Sequence, residues 1–194
     1  MKIFISSILS ILLFTGFSLD QKHQLVLERS SIDWIGTKVT GEHSGTIDFK
    51  SGEIRIQDDK IIGGKLIVNM SSIKVTDLEG KWAEKLEGHL SSEDFFNTNQ
   101  YPTATFTFAT MKPMEDGKYD IMGIMEIKGI KKPISFPAEV KIQGKGIRLK
   151  AEVVIDRTDF GIKYGSAKYF SDIGDKAIHD EFTLNVDLYA ETEG

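Results

Sequence analysis

From residue 30 to the carboxyl end, apolar and polar side chains alternate in short runs separated by Gly, Asp, Asn or Pro. This is the pattern of antiparallel strands with one dry face. The clearest run is 103–109, where Ala104, Phe106 and Phe108 fall on one side and Thr103, Thr105 and Thr107 on the other, because successive strand side chains point to opposite faces. Ile121, Gly123, Met125 and Ile127 oppose Asp120, Glu126 and Lys128, although Met122 and Ile124 leave the outer face partly apolar. Leu149, Ala151, Val153 and Ile155 oppose Arg148, Lys150, Glu152 and Asp156, and Phe182, Leu184, Val186 and Leu188 oppose Thr183, Asn185 and Asp187. Less regular runs at 25–36, 45–49, 53–57, 60–70 and 133–142 complete roughly eight or nine strands, with Asp58-Asp59, Asp116-Gly117 and Gly144-Lys145-Gly146 as turns. Pro133 and Pro137 cannot donate ladder hydrogen bonds, so their strand is expected to be bulged or paired on one side there. Many short strands without alternating helices predict an all-β sandwich or closed up-and-down barrel.

Two stretches depart from the alternation. Thr76-Asp77-Leu78-Glu79 has capping-box spacing, and Leu78, Trp82, Leu86 and Leu90 recur every four residues, which predicts one short amphipathic helix. Its stripe needs an apolar surface, either the open end of a barrel or the outer face of the sheet. The other stretch, 158–180, carries Phe160, Tyr164, Tyr169 and Phe170 among Gly, Lys and Asp residues. It is too long for a hairpin loop, and its aromatics predict packing over disorder.

At the amino end, Met1 and Lys2 precede an apolar run from Ile3 to Phe17, with small residues at Gly16 and Ser18. An apolar run of roughly 15 residues reads as a secretory signal cut after Ser18, since a spanning helix needs about 20, with an uncleaved anchor as the rival reading. The expected mature barrel domain is 19–194, periplasmic or secreted. With 24 basic against 29 acidic residues, the chain has no electrostatic reason to seek nucleic acid. It has no cysteine, which removes disulfides, thiolate nucleophiles and thiolate metal sites. His23, His43, His89 and His179 show no metal-ligand spacing, so no metal and no cofactor are expected; His43 and His179 read as polar residues of a turn or strand end. The nucleophile elbow, the phosphate loop and the dinucleotide glycine fingerprint are all missing. A barrel of eight strands can be filled by its own Phe and Met side chains or can keep room for one small ligand.

Four separated motifs bear on that choice. They are 31–38 leading to Gly41-Glu42-His43-Ser44-Gly45; 89–96 followed by 101–106; Gly129-Ile130-Lys131-Lys132-Pro133-Ile134; and 155–162, with Arg157-Thr158-Asp159-Phe160-Gly161 at its heart. In this order they resemble the YceI-like family of exported, lipocalin-like polyisoprenoid-binding proteins, over 31–190. The resemblance implies an eight-stranded antiparallel barrel with a helix near one end, an apolar pore, a bound isoprenoid or other long-chain lipid, and a possible homodimer.

On that reading the protein is a passive carrier and not an enzyme. Trp34, Phe106, Phe108, Met125, Phe136, Leu149, Val153, Phe160, Phe182 and Leu184 are the expected lining, as a group, because a one-residue register slip swaps the faces. His43, Arg157, Asp159, Lys168 and His179 are the polar candidates for a head group at the mouth, with a loop-fixing salt bridge as the rival role of Arg157 and Asp159. A barrel enzyme using His43 or His179 as acid or base, and a solid-cored interaction protein, are the competing readings.

Overall fold

The computed structural model describes residues 20–192; the expected export signal and its cut lie outside them. Eleven strand segments run in chain order: β1 (Gln21–Leu25), β2 (Ser31–Lys38), β3 (Gly41–Thr46), β4 (Phe49–Gln57), β5 (Lys60–Asn69), β6 (Lys74–Val75), β7 (Thr103–Pro113), β8 (Tyr119–Ile127), β9 (Ile130–Gln143), β10 (Gly146–Asp156) and β11 (Ile178–Thr192). One helix, α1 (Lys81–Ser91), stands between β6 and β7.

The segments close into an antiparallel barrel of eight staves. The predicted run at 25–36 is a single stave interrupted at Leu27–Arg29, so that β1 pairs β4 while β2 pairs β3. Likewise β3 and β4 share one stave, and β5, β7, β8, β9, β10 and β11 follow as neighbours in chain order. The long last strand closes the ring. Its amino-terminal part pairs β2 from Ile178–Lys38 to Asp187–Ser31, and its carboxyl-terminal part pairs β1 from Ala190–Leu25 to Thr192–His23. The fold is therefore all-β with one short helix, an up-and-down barrel.

Turn chemistry explains the hairpins. Asp58 and Asp59 both adopt positive φ, as do Lys128 and Gly129 between β8 and β9, the geometry that matches strand twist in two-residue hairpins. The Lys128-Gly129 turn escaped the sequence reading, because β9 begins at Ile130, ahead of the expected 133. Pro133 and Pro137 pair with Ile124 and Asp120 of β8, whereas the ladder to β10 ends at Ala151–Ala138, where Pro137 begins. Single-sided pairing beside prolines is what the missing N–H groups dictate.

The core is divided along the barrel axis. At one end Ile54, Ile121, Ile147, Leu188 and Ala190 are completely buried. Towards the other end Trp34, Val68, Met125, Phe182, Leu184 and Val186 sit on inward faces yet are only partly buried, so the barrel is packed solid at one end and hollow at the other. Helix α1 and the 158–180 loop both belong to the hollow end.

The helix differs from its expected form. Gly80 is its N-cap, with no side-chain capping bond. Asp77 accepts hydrogen bonds from Ser44 N and His43, and Thr76 N donates to Ser44 O. Partners on the β3 edge thus take the groups that the capping box would use. Trp82, expected to head the covering stripe, is 71% exposed.

Candidate functional site

The hollow end holds a cavity of about 220 Å³. Its floor is an aromatic layer from two staves, β7 and β9: Phe106 and Phe108 meet edge to face with centroids 4.9 Å apart, and Phe106 meets Phe136 at 5.4 Å. All three are buried and line the void. Gly123 makes the layer possible, since a Cβ there would collide with the Phe106 ring. Walls come from Trp34, Met125, Leu149, Val153, Phe182 and Leu184, joined by Val186, Ala151 and Ile155. Leu86 and Leu90 of α1, with Phe95 and Phe96, form the roof.

Trp34 shows how a motif builds a wall. Its indole lies against Gly45, where any Cβ would overlap the ring, and its Nε1 donates to Thr46 O at 3.2 Å and Lys74 O at 3.1 Å. The indole NH is satisfied on the far side while the ring faces the void, which is what a buried Trp at an apolar site needs.

The mouth is polar. Thr37, Lys38, His43, His179 and Glu181 border the opening. His43 Nδ1 lies 2.8 Å from Asp77 Oδ2, and Asp77 Oδ1 accepts from Ser44 N at 3.0 Å. Burial pushes the Asp77 carboxyl up, but the bonds from His43 and Ser44 outweigh it and hold the group below the usual carboxylate range. His179 Nδ1 lies 2.7 Å from Thr37 Oγ1. Each imidazole is therefore oriented by one partner, and the other ring nitrogen remains for solvent or a ligand.

Arg157 reaches the cavity wall but acts chiefly as a clamp. It is 4% exposed and donates to the carbonyls of Ile162 at 2.9 Å, Tyr164 at 2.8 Å, Ile178 at 3.0 Å and His179 at 3.0 Å, with Asp180 at 3.5 Å. Burial pulls its guanidinium below its ordinary value, opposed by Asp180 and Asp156; it stays charged, because arginine does not deprotonate in proteins. The five-donor fork satisfies carbonyls at both ends of the loop, which pins Tyr164 and His179 to the mouth. Its ion partner is Asp180, not Asp159.

Three expected contributors lie elsewhere. Phe160 is buried in the core but does not line the void, because the turn Arg157–Phe160 rotates it out of strand register. Asp159 is exposed and pairs with Lys132 at 3.5 Å. Lys168 does not line the void, and its Nζ reaches Thr158 Oγ1 at 3.4 Å. Asp77 and the four roof residues were not among the expected site residues. Alternation extends directly from Leu184 to Val186 and from Val153 to Ala151 and Ile155, so these walls had a signal, whereas the 34-residue separation of His43 from Asp77 had none. Among the described residues no group of three or more His, Asp or Glu side chains could hold a metal ion.

Known proteins share this architecture. BcnA of Burkholderia cenocepacia superposes with a TM-score of 0.69 at 19% identity, covering 85% of this chain and 98% of that one. A polyisoprenoid binding domain of Saccharophagus degradans gives 0.65 at 14%, covering 88% and 98%. Among curated relatives, a UPF0312 protein of Photorhabdus laumondii is 32% identical over 122 residues, 60% of this chain and 59% of the relative. Protein YceI of Shigella flexneri is 37% identical over 98 residues, 47% and 50% respectively. The chain thus spans about half to three-fifths of the length of these curated relatives. The family model for the YceI-like domain matches residues 17–190, and the protein belongs to the YceI-like domain family.

Proposed function

We propose that the protein binds a long-chain apolar molecule, a polyisoprenoid, isoprenoid quinone or fatty-acid-like amphiphile, in the hollow end of its barrel, and that it does so as a carrier without catalysis. The observation that carries this reading is a void walled almost wholly by carbon, whose inward Trp34, Phe182, Leu184 and Val186 keep exposed surface instead of packing on one another. Unsatisfied apolar surface of this kind gains about 0.8 kcal/mol for each methylene that a ligand removes from water. The polar mouth suits a head group, with His43 and His179 as its nearest donors or acceptors. The polyisoprenoid binding domain of similar fold supports the choice of ligand class. The Met1–Phe17 run supports export with a cut after Ser18.

Native mass spectrometry of the protein purified from its own host tests the proposal. The expected spectrum contains one stoichiometric lipid per chain, released by organic extraction; a spectrum of bare chain overturns the reading. The His43–Asp77 pair favours a second reading, in which an oriented imidazole acts as acid or base on a lipid held in the cavity. Turnover of the extracted lipid that is lost in His43→Ala, with lipid still bound, would establish it.

A further inference from the structure

Among the described residues, every exposed aromatic side chain belongs to the structures around the cavity mouth: Trp82 on α1, and Tyr164, Tyr169 and Phe170 in the 158–180 loop. Trp82 stands one helical turn before Leu86, on the stripe whose Leu86 and Leu90 roof the void. Tyr164 packs edge-on against His89 of α1, centroids 4.7 Å apart. Ile178 N donates to Gly165 O, and Val39 N of the β2–β3 turn donates to Ala177 O. These contacts bind helix, loop and exposed Val39 into one rim at the hollow end.

Lysines accompany the rings. Lys85 Nζ lies 5.8 Å from the Trp82 ring centroid, and Lys163 and Lys168 lie 4.7 and 5.9 Å from that of Tyr169. The core of a protein interface is depleted in Lys. Trp and Tyr rings flanked by ammonium groups instead match a lipid headgroup layer, where the ring sits at the boundary and the cation meets phosphate. The chain as a whole carries a net charge of −5, so these pairs are not the edge of a general positive field. Glu84, Glu87, Asp159, Asp172, Asp175 and Asp180 lie in the same elements and limit the electrostatic share, which leaves the aromatics in the lead.

We propose that this rim docks the hollow end of the barrel onto an anionic lipid surface, with the cavity mouth facing the bilayer. The inference rests on the ligand reading above, because a chain passing directly between bilayer and cavity keeps its methylenes out of water. Sedimentation of the full chain with phosphatidylcholine–phosphatidylglycerol vesicles, and with phosphatidylcholine alone, tests it. The wild type is expected to favour the mixed vesicles, and Trp82→Ala/Tyr169→Ser/Phe170→Ser to weaken that partition by about tenfold or more. Ile62→Ser, away from the rim, is expected to partition as wild type. All variants keep the same amino terminus, so any binding through it is common to them. Ala151→Phe, which fills the cavity, separates the two proposals: it is expected to lose co-purifying lipid and still partition. Equal partition of wild type and rim variant, no partition at all, or equal partition onto both lipid mixtures overturns the docking proposal. Bare wild-type chain that still partitions through the rim overturns the carrier reading alone.

Discussion

The two ends of the barrel are built from the same staves and the same residue types, yet one is solid and the other hollow. At the solid end Ile54, Ile121, Ile147, Leu188 and Ala190 interdigitate to complete burial, the density expected of a protein interior. At the hollow end Phe182, Leu184 and Val186 belong to the same strand and the same face as Leu188 and Ala190, but stay partly exposed. The difference lies in what covers each end. Hairpin turns and the short β1 seal the solid end, whereas α1 and the clamped loop arch over the other. Stability therefore resides in one half and binding capacity in the other.

The widest contrast is expected from truncating one strand at two heights. Leu188→Ala should cost about 2–5 kcal/mol, because it opens a sealed cavity; Leu184→Ala should cost about 1 kcal/mol, because its side chain already borders a void. Urea unfolding midpoints measure both, and equal losses would erase the distinction. Next is the clamp. Arg157→Met removes charge-assisted bonds to four carbonyls and should cost about 2–3 kcal/mol, with new cleavage between 161 and 177 in limited proteolysis. Arg157→Lys should not restore protection, since a single ammonium cannot span the carbonyls at both loop ends.

Enlargement should change sign between the ends. Ala190→Phe overpacks the solid half and should cost about 1–3 kcal/mol, whereas Ala151→Phe fills the void and should stabilise the unliganded protein by about 0.5–2 kcal/mol while native mass spectrometry shows lipid lost. The smallest effect is acid sensitivity of the hollow end. Burial raises the carboxyls of Asp77 and Asp156, but bonds from His43 and Ser44 to the first, and from Thr158 to the second, bring both below their ordinary value. Folded values below unfolded ones give stability that is fully present above ~3.9 and lost as pH falls from there through the folded values. Unfolding midpoints followed downward from pH 7 should hold until about pH 4 and then drop, with a shallower drop in Asp77→Asn.

Legibility followed periodicity. Phe106, Phe108, Met125, Leu149, Val153 and Leu184 could be placed inside because two-residue alternation runs through them in β7, β8, β10 and β11; in β7 the bulge between Phe108 and Thr110 comes only after them and moves the inward face to Met111. Phe160 misled because a tight turn has no such period. The interrupted first staves read as one long strand because the break at Leu27–Arg29 carries neither Gly nor Pro. Trp82 sat on a correct helical stripe and still faced outward, since the stripe is longer than the opening it covers.

Local pattern alone determined the strands, most of their inward faces, the helix α1 and the absence of thiol chemistry, because those follow from alternation, turn residues and composition, which neighbouring positions carry. Tertiary structure decided that the barrel is hollow at one end only, that Asp77 orients His43, that Arg157 clamps a loop and that the exposed aromatics gather at one rim. Each of these depends on which distant staves meet and on how much volume their side chains leave between them, and packing of that kind is a property of the closed ring and not of any one stretch of chain.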